Sequence, residues 1–412
     1  MIQFEKFILK NGLRVIVHED TSTPMAAVDV MYDVGSRDEN ENRTGFAHLF
    51  EHLMFGGSIN IPAYDEPLQM AGGDNNAYTT NDLTTYYIQL PAENIETAFW
   101  LESDRMLSLA FDEKRLSVQR KVVCEEFKEH YINKPYGDVW HRMRALAYTT
   151  HPYKWMTIGK ELSHVEDARL EDVKNFFYKH YTPANAILSV AGNVTVERVK
   201  ALAEKWFEDI SSGQKYIRNL PPEPKQTEPR KSSVTARVPL DALYKCWHIY
   251  PRLDKRYYAA DLITEILSGG GSSRLFQSLV KEQQLFSNIE CNHSGSIDAG
   301  LLAIQGRLVK GIKMVDAETA VLKELEKIQK EMVSEIELQK VKNKTESLIA
   351  FEDVSLVNRA VSLANYELLG DAALMNKELE NYQAVTAEEI LVESCNIFDE
   401  KNCSTLYYYS DN

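Results

Sequence analysis

Two histidines and a glutamate stand within five residues, in the run His48-Leu49-Phe50-Glu51-His52. On a helix, positions i and i+4 share one face and i+3 lies beside them. Two imidazoles one turn apart can grip a single metal ion, and a carboxylate between them can take a proton from water held by that metal. The order H-x-x-E-H, inverted relative to H-E-x-x-H, is a zinc-peptidase signature. The bland alternative is an exposed helix whose histidines are surface polar groups. Phe46, Leu49, Phe50, Leu53 and Phe55 make the segment apolar over much of its circumference, so a buried helix is expected. Burying two histidines and a glutamate without partners costs several kcal/mol, and a metal would satisfy all three. The residues therefore predict one Zn2+ per chain, with His48 and His52 as ligands and Glu51 as general base.

A third protein ligand is needed, leaving the fourth position for water. The helical pattern over 112–131 offers Glu125, Glu126 and Glu129. Glu126 and Glu129 are three apart and share a face with Val122 and Val123, which points that face inward. Glu125 lies about 100° away and is expected in solvent. Glu126 is the expected ligand, and Glu129 a group able to orient a histidine. The competing reading of this cluster is a solvated charged face.

The elements that must position these groups follow from periodicity and turn residues. Strands are expected over 13–18 and 25–34, a motif helix over 42–55 stopped by Gly56-Gly57, and a turn over 72–76 leading into a Tyr- and Thr-rich β segment over 77–90. Helices are expected over 93–107, 112–131 and 170–180, and a strand over 186–191. The second half ends as the first does, with a helix over 388–398 and a strand over 404–409. Residues 211–231 hold prolines and charges with few apolar groups, a linker composition. The pattern suggests an internal duplication of an α+β unit. Domains are expected over 1–212 and 232–412, joined by 213–231.

Bulk properties narrow the function. A chain of 412 residues, 44% hydrophobic, exceeds one ordinary core. No apolar run approaches the ~18 residues of a membrane span, and no basic-then-apolar signal opens the chain. A cytoplasmic location is expected, with the periplasm as the alternative if a leader has been removed. The formal charge of −15 argues against a nucleic-acid partner and mildly favours basic or amphipathic peptides. The five cysteines include no C-x-x-C pair, which argues against a disulfide framework or a thiolate zinc site. Gly269-Gly270-Gly271-Ser272-Ser273-Arg274 lacks the G-x-x-x-x-G-K-[ST] order of a phosphate loop and reads as a glycine-rich helix connection. Asn76-Ala77-Tyr78-Thr79-Thr80 is a candidate edge strand, to which an extended peptide could add through main-chain hydrogen bonds. An ordinary internal strand is the alternative.

Taken together, NGLRVIVHED (11–20), VGSRDENENRTGFAHLFEHLMFGG (34–57), GGDNNAYTTNDLTTYY (72–87), RKVVCEE (120–126), YTPANAILSVAGN (181–193) and GGGSSRLFQSLV (269–280) resemble the pitrilysin family. That family includes insulysin and the mitochondrial processing peptidase, and the chain is most similar to its short bacterial branch. The resemblance implies an α+β fold of two similar domains, each a mostly antiparallel sheet packed with helices, forming half of a clamshell. It implies Glu126 as the distal ligand and Asn76, Ala77 and Tyr78 as the substrate strand. A glutamate often stands seven residues before that ligand, where this chain has Gln119. A single half-clamshell implies a dimer enclosing a chamber. Active members carry an arginine and a tyrosine seven apart after the glycine-rich turn. The matching positions here are Val280 and Ser287, or Lys281 and Asn288 with a one-residue slip, and none can do that work. The expectation is a heterodimer whose related partner supplies the Arg/Tyr pair, with a homodimer as runner-up. The implied activity is endopeptidase cleavage of unfolded peptides. The alternative is a non-catalytic assembly or peptide-binding subunit.

Overall fold

The computed structural model describes residues 1–411. Its first sheet uses β1 (Glu5–Ile8), β2 (Arg14–Glu19), β3 (Met25–Tyr32), β4 (Asp74–Thr79), β5 (Thr84–Pro91) and β6 (Ala186–Gly192). They lie in the order β1-β2-β6-β3-β5-β4, with β2 and β6 parallel and the other pairs antiparallel. β3 and β6 are mostly apolar and buried along nearly their whole length, interrupted by Asp29 and Ser189, as their central place with both faces covered requires. β4 ends the sheet and alternates exposed with half-buried residues.

The second sheet uses β7 (Arg230–Ala236), β8 (Ala242–His248), β9 (Phe286–His293), β10 (Leu301–Leu308) and β11 (Cys403–Ser410). Its order is β7-β11-β8-β10-β9, with β7 and β11 parallel and the rest antiparallel. Apart from β1, this repeats the first sheet strand for strand: β2-β6-β3-β5-β4 corresponds to β7-β11-β8-β10-β9. The duplication suggested by the matching ends of the two halves is thus a repeat of one α+β topology.

The helices of the first half are α1 (Phe46–Met54), α2 (Asp65–Met70), α3 (Ile95–Leu107), α4 (Glu113–Phe127), α5 (Val139–Ala147), α6 (Leu162–Glu166), α7 (Leu170–His180) and α8 (Val196–Phe207). Those of the second half are α9 (Arg256–Ser268), α10 (Met314–Lys330), α11 (Glu335–Glu352), α12 (Leu356–Leu368), α13 (Glu378–Ala384) and α14 (Ala387–Ile397).

Two compact units emerge, each assembled from three stretches of chain. One holds Met1–Glu129, Trp155–Leu220 and Ala350–Lys377; the other holds His130–Lys154, Pro221–Ile349 and the chain from Glu378. Each sheet is backed by a helix from the opposite half of the sequence. In the first unit, Leu356, Ala360, Leu363 and Ala364 of α12 cover Ala27, Met31, Ile187 and Ala191. In the second, Val139, Met143 and Ala147 of α5 pack with Ala242, Cys246, Leu406 and Tyr408. No composition change marks these exchanges, so the pattern of the chain shows only the irregular passage over 213–229.

Several boundaries differ from expectation for local reasons. The motif helix begins at Phe46 rather than Asn42, because Gly45 sits in left-handed backbone at φ 87°. A Cβ there would also lie 2.6 Å from the Ile158 carbonyl oxygen. The Tyr- and Thr-rich segment is a hairpin rather than one run: Asn81-Asp82 turns β4 into β5, and Asn76 lies within the strand. The helix expected to reach Tyr131 ends at Phe127 and passes into a π-type turn over Lys128–Ile132. All five cysteines are free thiols, and no helix among the described residues is long and apolar enough to cross a membrane.

Candidate metal centre

Aromatic packing fixes α1. Phe50 is fully buried and stacks on Phe176 (5.3 Å), Phe177 (6.1 Å) and Tyr181 (5.0 Å), the first two on α7 and the third just past its end. The helix starts on a glycine and has no side-chain cap of its own. Glu39 fills that role from the preceding loop, accepting from the Gly45 N–H at 2.9 Å and the Ala47 N–H at 2.8 Å. Burial pushes the Glu39 carboxyl up to about 8, against the pull of these N–H groups. At the other end, Arg115 of α4 donates to the Gly56 carbonyl at 3.0 Å, and Asp112 caps α4 by accepting from the Arg115 N–H at 2.7 Å. The two helices that carry the candidate ligands are therefore tied together.

The loop before α1 is fastened in turn. The Trp155 indole donates to the Ser36 carbonyl at 2.8 Å, and Arg37 pairs with Asp82 at 2.9 Å. Arg218, in the irregular passage, reaches back to Asp38 at 2.6 Å and Asp33 at 2.7 Å. Behind α1, Arg105 is buried against Glu102 with its guanidinium over Tyr86 (4.3 Å) and Tyr64 (4.7 Å).

His48, His52 and Glu126 come together as the spacing predicts, with one ligand atom from each lying within 4.8 Å of the others. His48 Nε2 stands 3.7 Å from Glu126 Oε1, and His52 Nε2 stands 3.4 Å from Glu126 Oε2. These are long for hydrogen bonds. The His52 distance is that of a tetrahedral edge, since bonds of about 2.0–2.1 Å put neighbouring ligand atoms about 3.3–3.4 Å apart, while the His48 distance is longer and runs to the other carboxylate oxygen. Two imidazole nitrogens and one carboxylate with an open fourth position are a catalytic zinc donor set, so these residues fit the ion. Burial pushes the His48 imidazole down to about 4, assisted by His52 and opposed by Glu126. His48 is thus neutral at ordinary pH, the form that ligates. Its Nδ1 is buried without a hydrogen-bond partner among the described residues.

Glu51 lies beside this set, and its Oε2 accepts from the Thr79 hydroxyl at 2.6 Å. Burial raises the Glu51 carboxyl above its usual range, and the Thr79 hydrogen bonds and nearby His52 work against that rise. A carboxyl moved up in this way is a stronger proton acceptor than an ordinary glutamate.

The other expected residues distribute unevenly. Glu125 is exposed and paired with Lys128 at 2.9 Å. Val122 is 45% exposed while Val123 is buried, so the inward face of α4 is narrower than the valine pair suggests. Glu129 lies exposed in the π-type turn, and it does not reach the buried Nδ1 of His48. The change from α to π geometry after Phe127 alters the face that a three-residue spacing predicts. Asn76, Ala77 and Tyr78 lie on β4, at the free edge of the sheet. Val280 packs against the core of the second unit, and the Ser287 hydroxyl donates to the Arg307 carbonyl at 3.1 Å. Thr79 and Glu39 are the functional neighbours that sequence reasoning missed. Thr79 carried only a strand signal, and no local rule links Glu39 to a helix beginning seven residues later.

Comparison with known proteins agrees with this geometry. The family described as "Insulinase (Peptidase family M16)" matches residues 14–159, and "Peptidase M16 inactive domain" matches 167–345. The zinc protease PqqE of Helicobacter pylori is 32% identical over 348 residues, 82% of this chain and 77% of that protein. The crystal structure of a protease from Helicobacter pylori superposes with a TM-score of 0.93 at 27% identity, covering 99% of this chain and 100% of that one. The periplasmic protease PqqL of Escherichia coli shares the fold at a TM-score of 0.79 and 19% identity; 98% of this chain covers 47% of it.

Proposed function

Because the chain belongs to the insulinase family of peptidases, family M16, we propose that it is a zinc endopeptidase acting on unfolded peptides or short polypeptides. The observation that carries this is the convergence of His48, His52 and Glu126 within 4.8 Å of one another, beside a half-buried Glu51. A zinc ion held by these residues would supply Lewis-acid chemistry at the scissile carbonyl. Glu51 is placed to take a proton from the attacking water and to return it to the leaving amine. His48 stays neutral, both histidines are fixed by α1, and Glu126 offsets positive charge. Substrate lies extended along Asn76, Ala77 and Tyr78, where β4 leaves main-chain groups unpaired by any further strand.

The chain acts, in this proposal, as the catalytic subunit of a dimer that closes a chamber around flexible substrates. A longer protein of the same fold holds a second half beyond the 47% that this chain matches, which supports a two-part assembly. Val280 and Ser287 stand where an Arg/Tyr pair is expected, which favours a related partner chain over a second copy of this one. The other reading is a non-catalytic assembly or peptide-binding subunit, and the match of residues 167–345 to an inactive domain is consistent with either.

Glu51→Gln separates the two. The variant should keep the native zinc content while cleavage of an unstructured peptide falls by at least about 10²-fold. Cleavage at the native rate by the zinc-loaded variant contradicts the mechanism.

A further inference from the structure

The strand at the sheet edge is joined to Glu51 by a connection that the peptidase reading does not use. The Thr80 N–H donates to the Leu83 carbonyl at 2.8 Å across the two-residue turn. In an antiparallel ladder the main-chain groups alternate in direction. Even-numbered residues of β4 therefore point toward β5, and Asn75, Ala77 and Thr79 point toward the free edge. The Ala77 N–H fits this, since it is met by its neighbour's side chain, Asn76 Oδ1, at 2.8 Å rather than by β5. Thr79, the last edge-facing residue, turns its hydroxyl to the Glu51 carboxylate at 2.6 Å.

We propose that Thr79 is a positioning residue for the reaction: it locks the Glu51 carboxylate to the edge of β4, so that the base and a peptide strand added to that edge share one register. This rests on the reading of Glu51 as base. A glutamate side chain in a cavity has several staggered rotamers open to it. A short hydrogen bond to a carboxylate is among the stronger ones and selects a single rotamer. The same residue ends the strand on which the substrate would lie. Scissile bond and base are then aligned by one rigid element, and small errors of alignment are costly in rate. A purely structural threonine at a strand end would leave Glu51 where it is when the hydroxyl is removed.

The test uses Thr79→Val, which keeps shape and main-chain N–H but removes the hydroxyl, and Thr79→Ser, which restores it. Thr79→Ala is read as Val is, should valine fail to fold. The first readout is the crystal structure of the metal-free variants. Glu51 should leave its position in Thr79→Val and keep it in Thr79→Ser. The second readout is steady-state cleavage of an unstructured, internally quenched peptide by the zinc-loaded chain in the assembly purified from its host. Thr79→Val should lose about tenfold or more in kcat with KM within about threefold, and Thr79→Ser should stay within about threefold of native in both. An unmoved carboxylate, or native kcat in Thr79→Val while Glu51→Gln is inactive, overturns the assignment of Thr79 alone. Native turnover by Glu51→Gln overturns the peptidase reading and Thr79 with it.

Discussion

At the scale of single residues, the proposed site is three candidate ligands, and burial holds one of them, His48, in its neutral form. Replacing His52 or Glu126 with Ala removes one of three donors and leaves the fold's packing largely untouched, since both are only partly buried. Each variant should bind zinc at least about 100-fold more weakly, read by competition with a chromogenic chelator; native affinity would remove that residue from the site. A second residue-scale prediction concerns Asp29. It is fully buried on the sheet face under α12, accepts from Thr85, and has its other oxygen unpartnered. Burial pushes its carboxyl up to about 8, against about 3.9 for a free aspartate. Because the folded value is the higher one, its contribution is fully present below about pH 4 and is lost as pH rises toward 8. Asp29→Asn has no proton to lose. Its unfolding free energy in urea should gain on the native protein through that window by a few kcal/mol. Parallel pH curves for the two proteins would refute the buried-acid reading.

At the scale of elements, α1 is held by aromatic stacking on one side and by Glu39 at its start. Phe50→Ala should therefore destabilise the fold by about 3–5 kcal/mol, measured by denaturant unfolding; a change below about 1 kcal/mol would show that the stack does not hold the helix. The legibility of this structure follows the range of the interactions. The five-residue zinc motif, the 170–180 helix and the strand at 186 were readable because helical spacing and apolar runs are local signals. Glu126 was readable because helical phase carries over one or two turns. Glu129 was not, because a π-type turn intervenes and shifts the phase. The hairpin at Asn81-Asp82 lacks a glycine, so it carried no strong turn signal. Thr79 and Glu39 act across 28 and 8 residues of chain, where periodicity says nothing.

At the scale of the whole molecule, the reciprocal use of α5 and α12 means that neither half of the sequence contains a complete unit. A fragment of residues 1–212 lacks α12 and would expose Ala27, Met31, Ile187 and Ala191. It should fail to give a cooperative thermal transition, whereas adding the 232–412 fragment should restore one; a stable, folded 1–212 alone would show that the exchange is dispensable. Under the proposed dimer, purification of the chain from its host should bring a related second chain with it; a fully active self-dimer would remove that partner. The central claim remains the metal, and zinc-edge anomalous diffraction from crystals of the zinc-loaded protein tests it most directly. The account predicts one strong peak per chain, about 2.0–2.2 Å from His48 Nε2, His52 Nε2 and a Glu126 oxygen. No peak between those three side chains, in protein shown to contain zinc, would contradict it.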